Sequence, residues 1–478
     1  MHSVLQLAYH KDRSDKNSIR VTEQEKQYRY YVGDAYNVKR YLLTALSKTY
    51  DEKDVEEMQL QWVNITEKII NQMAVVYLDP AIRTIMMDDK VDDELTDYYL
   101  NIIPKNINTA DKEGHRLSKL HNTALPQVVF DEESKRFIYK TNSSYFYTAK
   151  HEFGKLTELS YEKYFNDEWF RVFWTEDEHY RKDAVGNGKT PMPGAEGTEN
   201  PFGVIPFPVF RLKNSVDFWG EGQSDVVNVN EQVNLLLTKL INRDIIFGTE
   251  GTLLAINLDL HKKGKEEEGE KKIRTGVSHP IAVNEVKVDD AQPSLQHVAG
   301  SPDIEAVKGT IDWYIKMIAN FNGLNPNAVL SQIKDTSDFQ KIMDAVDQME
   351  VRKDDIEPCR AFEEERFKIT KIMNNKLVGT PGGEGLKEIP EEASLFVDFA
   401  DIEVQKTPQD KRDDYDWKLE KNLISLLDIV KEENPDLTDE QAEEVLTKNR
   451  AANSTLGGTA SRFELLTQTP ATEEVEEQ

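Results

Sequence analysis

Cysteine is almost missing from this chain: its 478 residues include one, Cys359. No intrachain disulfide can form, nothing points to an oxidising compartment, and a buried, inert thiol is expected at that position. Long hydrophobic runs are missing as well. The most apolar helix candidate, Val226 to Phe247, is interrupted by Asn234, Lys239, Asn242, Arg243 and Asp244 and cannot cross a bilayer unaided. The opening MHSVLQLAYHKDRSDK has too short an apolar stretch for an export signal, with its charges in the wrong order, so a soluble protein made and kept inside the cell is expected. Positive charge is scarce: 59 Lys and Arg against 87 Asp and Glu give a formal charge of −28. That balance argues against a broad phosphate-neutralising surface and leaves room only for loose or local contact with nucleic acid.

Catalytic signatures are also wanting. The stretch DAVGNGKT, Asp183 to Thr190, ends like a phosphate-binding loop, but Asp183 stands where a glycine is required, and Pro191 and Pro193 stand where a helix must begin. The nine histidines are scattered, with no H-E-x-x-H arrangement, so no metal site is expected; His151 with Glu152 reads as surface. The carboxylate pairs Asp88-Asp89, Asp92-Asp93 and Asp354-Asp355 read as solvated helix faces in so acidic a chain. No G-x-S-x-G elbow is present and no nucleophile stands out. The expectation is a protein without catalysis and without a cofactor.

What is there suffices for a sizeable core, with 38% hydrophobic and 31% charged residues. The length exceeds one ordinary core, which implies two or more domains or an elongated subunit. Thr22 to Leu78 reads as helical, with Thr22 as a cap and a helix over Asp54 to Tyr77. Asp88 to Leu120 reads as helical in part, broken at Pro104. From Leu125 the runs PQVVF, RFIYK, SSYFYTA, KLTELSYEK and EWFRVFWT alternate between turns and predict an antiparallel meander, followed by an exposed loop over Asp183 to Pro201 and an extended run over Val204 to Leu212. A long helix is predicted over Ser224 to Phe247, with Val226, Val229, Val233, Leu236, Leu237, Leu240 and Ile241 on one stripe.

Short strands are expected within Thr252 to Val298 around the charged loop KKGKEEEGEKK. A helix over Pro302 to Phe321 should stop at Asn322-Gly323. After a loop, Ser337 to Met373 reads as one very long helix kinked at Pro358. A turn at GTPGGEG, a strand over 394–404, a helix over Pro408 to Glu432 and another from Asp439 to Lys448, capped by Thr438, complete the order, before a flexible acidic end.

This α+β order resembles the portal, or head-to-tail connector, family of tailed bacteriophages over nearly the whole chain. The wording that carries the resemblance is EKQYRYYVGDAY (25–36), WVNITEKIINQMAVVYLDP (62–80), NPFGVIPFPVF (200–210) followed by GEGQSDVVNVNEQVNLLLTKLINRD, and DWYIKMIANFNGLNP before a loop and long helix. Where the family usually shows a serine-glycine pair before that helix, this chain has Asp335-Thr336-Ser337-Asp338.

The resemblance implies a mainly helical portal fold with an antiparallel β wing and a small β clip. The wing would take residues 1–220 and 337–407, stem helices 221–247 and 301–321, the clip 248–300, the tunnel loop 322–336 and the crown 408–478. It further implies a ring of about twelve copies at one capsid vertex, joined through heterologous interfaces. Double-stranded DNA would pass through it without sequence preference during packaging and ejection, and no membrane is involved.

The implied partners are the terminase large subunit, a neck adaptor, and the major capsid and scaffold proteins. The site would be the virion's portal vertex, assembled in the host cytoplasm. Implied tunnel-loop residues are Asn322, Asn325, Asn327, Gln332, Lys334, Asp335 and Thr336. Stem candidates for the channel wall are Glu231, Asp303, Glu305, Lys308, Asp312 and Lys316; candidates for docking partners at the clip are Lys263, Lys265, Glu266, Glu267, Glu268 and Glu270. The same elements would also suit another virion or assembly protein, such as a neck or scaffold component.

Overall fold

The computed structural model describes residues 15–51, 55–56, 58–152, 154–165, 168–183, 188–215, 217–242, 252–256, 258–260, 283–285, 294–298, 304–326, 329, 338–399, 408–421, 423–433 and 439–456. The chain forms two units, Met1–Ile402 and Glu403–Gln478.

The first unit opens with helices α1 (Asp15–Tyr31) and α2 (Ala35–Leu46). Helix α1 begins seven residues before the expected cap, because Arg20 closes the first turn by donating from Nε to Asn17 Oδ1 at 3.1 Å. Thr22 therefore sits inside the helix, its hydroxyl donating to Ser18 O at 3.0 Å. At the start of α2 the carboxylate of Asp34 accepts from Asn37 N–H at 3.2 Å, the usual way a short acceptor relieves an orphan helix donor.

The helix expected over Asp54 to Tyr77 is cut to α3 (Ile65–Met73). Two causes are visible. Asn64 caps α3, accepting from Glu67 N–H at 3.0 Å, and the segment before it gives its backbone to the side chains of a later helix, as described below.

Strands β1 (Ile82–Met87) and β2 (Lys90–Val91) form a hairpin whose turn residues Asp88 and Asp89 lie in the left-handed region, at φ 48° and 61°. Helices α4 (Asp93–Ile102) and α5 (Ile107–His121) follow, parted at Pro104 as expected. Asp88-Asp89 thus form a turn rather than a solvated helix face, while of Asp92-Asp93 the first caps α4 and the second stands exposed in its first turn. The edge strand β16 (Ser394–Asp398) joins β1 antiparallel, with Ile82 opposite Asp398 and Ile85 opposite Leu395, in the sheet order β16-β1-β2. The expected strand over 394–404 thus ends at 398 among the described residues. This sheet belongs to the main core, in which Ile69, Ile85, Leu120, Phe137, Phe210, Val233, Ile318, Phe362 and Met373 are buried.

Between α5 and the second core lie β3 (Thr123–Ala124) and the hairpin β4 (Gln127–Asp131) and β5 (Arg136–Lys140). The meander is β6 (Tyr147–Glu152), β7 (Lys155–Phe165), β8 (Glu168–Trp174), β9 (His179–Asp183) and β10 (Thr190–Pro191), in the spatial order β10-β9-β8-β7-β6. One face packs Tyr147, Leu159, Phe170, Val172 and Trp174 against Ile205, Phe207, Phe218 and Trp219. Period-2 alternation put these residues on one face. Of the expected extended run over 204–212, only β11 (Phe210–Arg211) pairs, with β3.

Helix α6 (Ser224–Lys239) leads into the insert, whose described strands are β12 (Thr252–Ile256), β13 (Leu258–Leu260), β14 (Val283–Glu285) and β15 (Ser294–Val298). They pair as nested antiparallel ladders, β12 with β15 outside and β13 with β14 inside. Helix α7 (Ile304–Phe321) returns, and α8 (Asp338–Leu377) runs through Pro358 as one 40-residue helix. The expected turn at GTPGGEG is present, with Gly379, Gly382 and Gly385 all at positive φ.

In the second unit the helix expected over Pro408 to Glu432 is two, α9 (Pro408–Glu420) and α10 (Leu426–Glu433). The break comes where Ser425 and Asp428 exchange hydrogen bonds in a capping box. Helix α11 (Asp439–Leu456) extends past the expected Lys448. The acidic end beyond Leu456 and the expected cap Thr438 lie outside the described residues.

Candidate functional site: the helix pair and its buried anchors

Helices α6 and α7 pack against each other on either side of the insert. The entry to α6 is fixed by two glycines in GEG. Gly220 has φ 67°, and a Cβ there would lie 2.1 Å from Asn122 Nδ2; a Cβ on Gly222 would lie 2.6 Å from Leu120 O. No other residue fits this crossing of α5 and α6 without movement. The exit of α7 is closed by a Schellman pair, in which Leu324 N–H donates to Ala319 O at 2.9 Å and Gly323 N–H to Asn320 O at 3.0 Å. Asn322-Gly323 therefore stops the helix as expected.

The predicted apolar stripe of α6 is present: Val226, Val233 and Leu240 are buried, and Val229, Leu236 and Leu237 pack against the core. A second, polar stripe was not foreseen. Asn230, Asn234 and Thr238 are all fully buried and, with Asn242, repeat every fourth residue. They hold the segment 58–66, called the strap. Asn242 accepts from Gln59 N–H at 2.8 Å and donates to Gln59 O at 2.9 Å. Thr238 Oγ1 accepts from Gln61 N–H at 3.0 Å and donates to Gln61 O at 3.2 Å. Asn234 accepts from Val63 N–H at 2.9 Å, and Asn230 from Ile65 N–H and Thr66 N–H at 3.1 Å each. Alternate residues turn both backbone groups the same way, as in a strand, so the helix side chains stand in for a neighbouring strand.

The long helix α8 carries another buried polar stripe: Arg352, Asp355, Cys359, Glu363, Arg366, Thr370 and Asn374, at steps of three and four. At its centre lies a four-charge cluster. Arg83 of β1 reaches Asp111 of α5 at 2.5 Å and Glu363 at 2.7 Å; Arg366 reaches Glu363 at 2.5 Å and pairs also with Asp111. All four side chains are at most 2% exposed and their charges cancel. Tyr77 donates to Glu363 Oε1 at 3.2 Å, and the Arg366 guanidinium lies over the Tyr139 ring at 4.5 Å. Burial works against the Glu363 carboxylate, but the two guanidiniums outweigh it and hold its pKa at about 2. About two turns earlier on α8, Asp355 takes His115 Nε2 at 3.1 Å and Lys119 Nζ at 2.7 Å. This corrects the reading of Asp354-Asp355 as a solvated pair: Asp355 is buried because a histidine and a lysine from α5 meet it. Cys359 is fully buried beside them, as expected, and burial pushes its thiol well up.

One serine–histidine pair has a suggestive geometry. Ser143 Oγ lies 2.7 Å from His121 Nε2, and His121 Nδ1 lies 3.0 Å from Gln27 Oε1. Burial, with Arg20 adding to it, lowers the imidazole pKa to about 3, and all three residues are sealed. Such a histidine has the wrong basicity for proton transfer near neutral pH; the trio pins α1, α5 and the 141–146 loop together.

The stem candidates are dispersed. Glu231 turns to α1, taking Lys26 Nζ at 2.9 Å and lying 3.5 Å from Tyr30 OH. Glu305, Lys308, Asp312 and Lys316 follow one another at three- and four-residue steps on α7, flanking the face that buries Ile311, Ile315 and Ile318; Asp312 is half-buried, and Glu305 and Lys308 pair at 3.0 Å in solvent. Trp313 and Phe321 on this helix are 57% and 80% exposed. Of the tunnel-loop candidates, Asn322 spends its amide on Ile318 O at 2.8 Å, and Asn325 is half-buried. Asn327, Gln332, Lys334, Asp335, Thr336, Asp303 and the clip candidates Lys263, Lys265, Glu266, Glu267, Glu268 and Glu270 lie outside the described residues. Lys189, from the truncated phosphate-loop wording, donates to Glu178 at 2.6 Å and leads into β10 rather than a helix. Among the described residues no cluster of three or more His, Cys, Asp or Glu could hold a metal, and no helix is long and apolar enough to cross a membrane.

No family model and no curated protein matches the sequence. Among solved structures, the chain is similar to one from the neck of an empty gene transfer agent particle, computed with C6 symmetry, at TM-score 0.37 and 10% identity, covering 76% of this chain and 87% of that one. It is also similar to a chain of the native gene transfer agent virion, at TM-score 0.33 and 11% identity over 75% and 85% of the two chains. A third likeness is to an HK97-family phage portal protein from Corynebacterium diphtheriae, at TM-score 0.30 and 8% identity over 69% and 91%. At these scores the matches decide neither fold nor function.

Proposed function

We propose that this protein is a phage portal subunit, closing with about eleven further copies into a ring through which duplex DNA is packed and released. The observation that carries the reading is the order α6, nested β insert, α7, loop, 40-residue α8, in a chain whose wording resembles portals at those same joints. Two physical features support it. The acidic balance of −28 suits a channel that must not hold phosphates. The exposed Trp313 and Phe321 on α7 present apolar surface that a neighbouring copy would cover.

In this reading the terminase large subunit and then a neck adaptor meet the insert, and capsid and scaffold proteins surround the ring. DNA contacts fall on scattered polar side chains rather than on a basic wall, and no side chain has a catalytic task. Native mass spectrometry of the purified chain tests the ring. Particles of about twelve times the 54.9 kDa subunit support it, and a monomer that persists at high concentration overturns it.

A further inference from the structure

The strap is held unevenly. At its inner end Asn230 accepts from Ile65 N–H and Thr66 N–H at 3.1 Å and from Thr66 Oγ1 at 2.9 Å, and donates to Val63 O at 2.8 Å. At its outer end Thr238 and Asn242 make two bonds each, the latter in solvent. Between them Asn234 makes one, and its Nδ2 is buried without a partner among the described residues.

The defect has a geometric cause. Four helical residues rise about 6.0 Å, while two strand residues advance about 6.6 Å. Rungs and strap drift out of phase, so Val63 O falls to Asn230 and Asn234 is left short. Beyond the defect the helix passes into a π-turn at Leu240–Asn242, a rare departure from regular α-helix. Trp62, packed on the cluster of Tyr30, Val38 and Leu42, anchors the inner side.

We propose that the strap is a two-part latch: residues 58–61 swing off α6 by themselves, with Asn234 marking the break, while Trp62 to Thr66 stay bound. Opening frees Thr238 and Asn242, which read only main chain, at the place where α6 leaves for the insert. The latch stands independently of ring formation, since every group in it belongs to one chain.

Hydrogen exchange at single-amide resolution on the purified full chain tests it. The Gln59 and Gln61 amides should exchange about 100-fold faster than those of Val63, Ile65 and Thr66 after correction for intrinsic rates, as sub-global opening requires. Thr238→Val should speed Gln59 and Gln61 further and leave Ile65 and Thr66 unmoved. Asn242→Ala, at the exposed rung, gives the same readout without touching a buried site. One common rate for all five amides, or equal acceleration of all five by either variant, overturns the latch.

Discussion

Glu363→Gln is the sharpest probe of what holds the first unit together. The substitution keeps shape and removes one charge from a cluster whose two arginines and two carboxylates cancel within side chains no more than 2% exposed. The new amide nitrogen must then face Arg83 or Arg366, donor against donor. One positive charge is left without its partner in a site that water does not reach. Breaking a buried pair from one side costs about 3–5 kcal/mol. The two guanidiniums that hold the Glu363 pKa low point the same way, while burial raises that of its neighbour Asp111, which leaves Glu363 as the carboxylate the arginines favour.

Urea denaturation of the full chain, followed by tryptophan fluorescence, measures the difference. Glu357→Gln, on the same helix but in an exposed pair with Arg360, is the control and should stay within about 0.5 kcal/mol. The sign with pH is fixed: a carboxylate whose folded pKa is depressed adds stability above its unfolded value and loses it as pH falls towards 2. The wild type should therefore lose more stability than Glu363→Gln between pH 4.5 and 2. A Glu363→Gln variant within about 1 kcal/mol of wild type at pH 7 would show that the cluster is hydrated or rearranged, and would refute the reasoning.

Three further outcomes follow from the same geometry. Burial lowers His115, His121 (to about 3) and His179 (to about 4), so the unfolded chain takes up protons that the folded chain refuses. Urea midpoints should fall from pH 7.5 to 5, and His121→Gln should flatten part of that slope. Asn230→Ala strips the acceptor from Ile65 N–H and Thr66 N–H and should cost about 2–4 kcal/mol by the same denaturation assay, whereas Asn242→Ala, exposed to water, should cost under about 1 kcal/mol. A short duplex DNA, followed by fluorescence anisotropy at physiological salt, should bind more weakly than about 10⁻⁴ M, the loose end of non-specific affinity; micromolar binding with a steep salt slope would contradict a non-gripping channel.

The sequence made the apolar architecture readable and the polar architecture unreadable. Val226, Val233 and Leu240 announced α6 by their spacing, and the meander announced itself by alternation, because burying apolar surface imposes a period. Asn230, Asn234 and Thr238 repeat just as regularly, yet polar residues on a helix are by default taken as solvent-facing. Only the fold shows that a strap covers them. The same default hid Asp355, Glu363 and Arg366, whose three- and four-residue steps within α8 were visible in the sequence. Helix ends were legible where a special residue fixed them, as at Asn322-Gly323. They were misplaced where a distant partner decided, as at the strap, whose helical periodicity lost to side chains some 170 residues away. Of the candidate channel residues, Glu305, Lys308 and Lys316 are exposed on α7 and Asp312 is half-buried, and the sequence could not foresee that Glu231 is spent on Lys26.

The most direct test of the central claim is negative-stain electron microscopy of the purified full chain. Rings of about twelve subunits with an open central hole are the result the account predicts; a field of single subunits or pairs, at concentrations well above those of the denaturation assays, would contradict it.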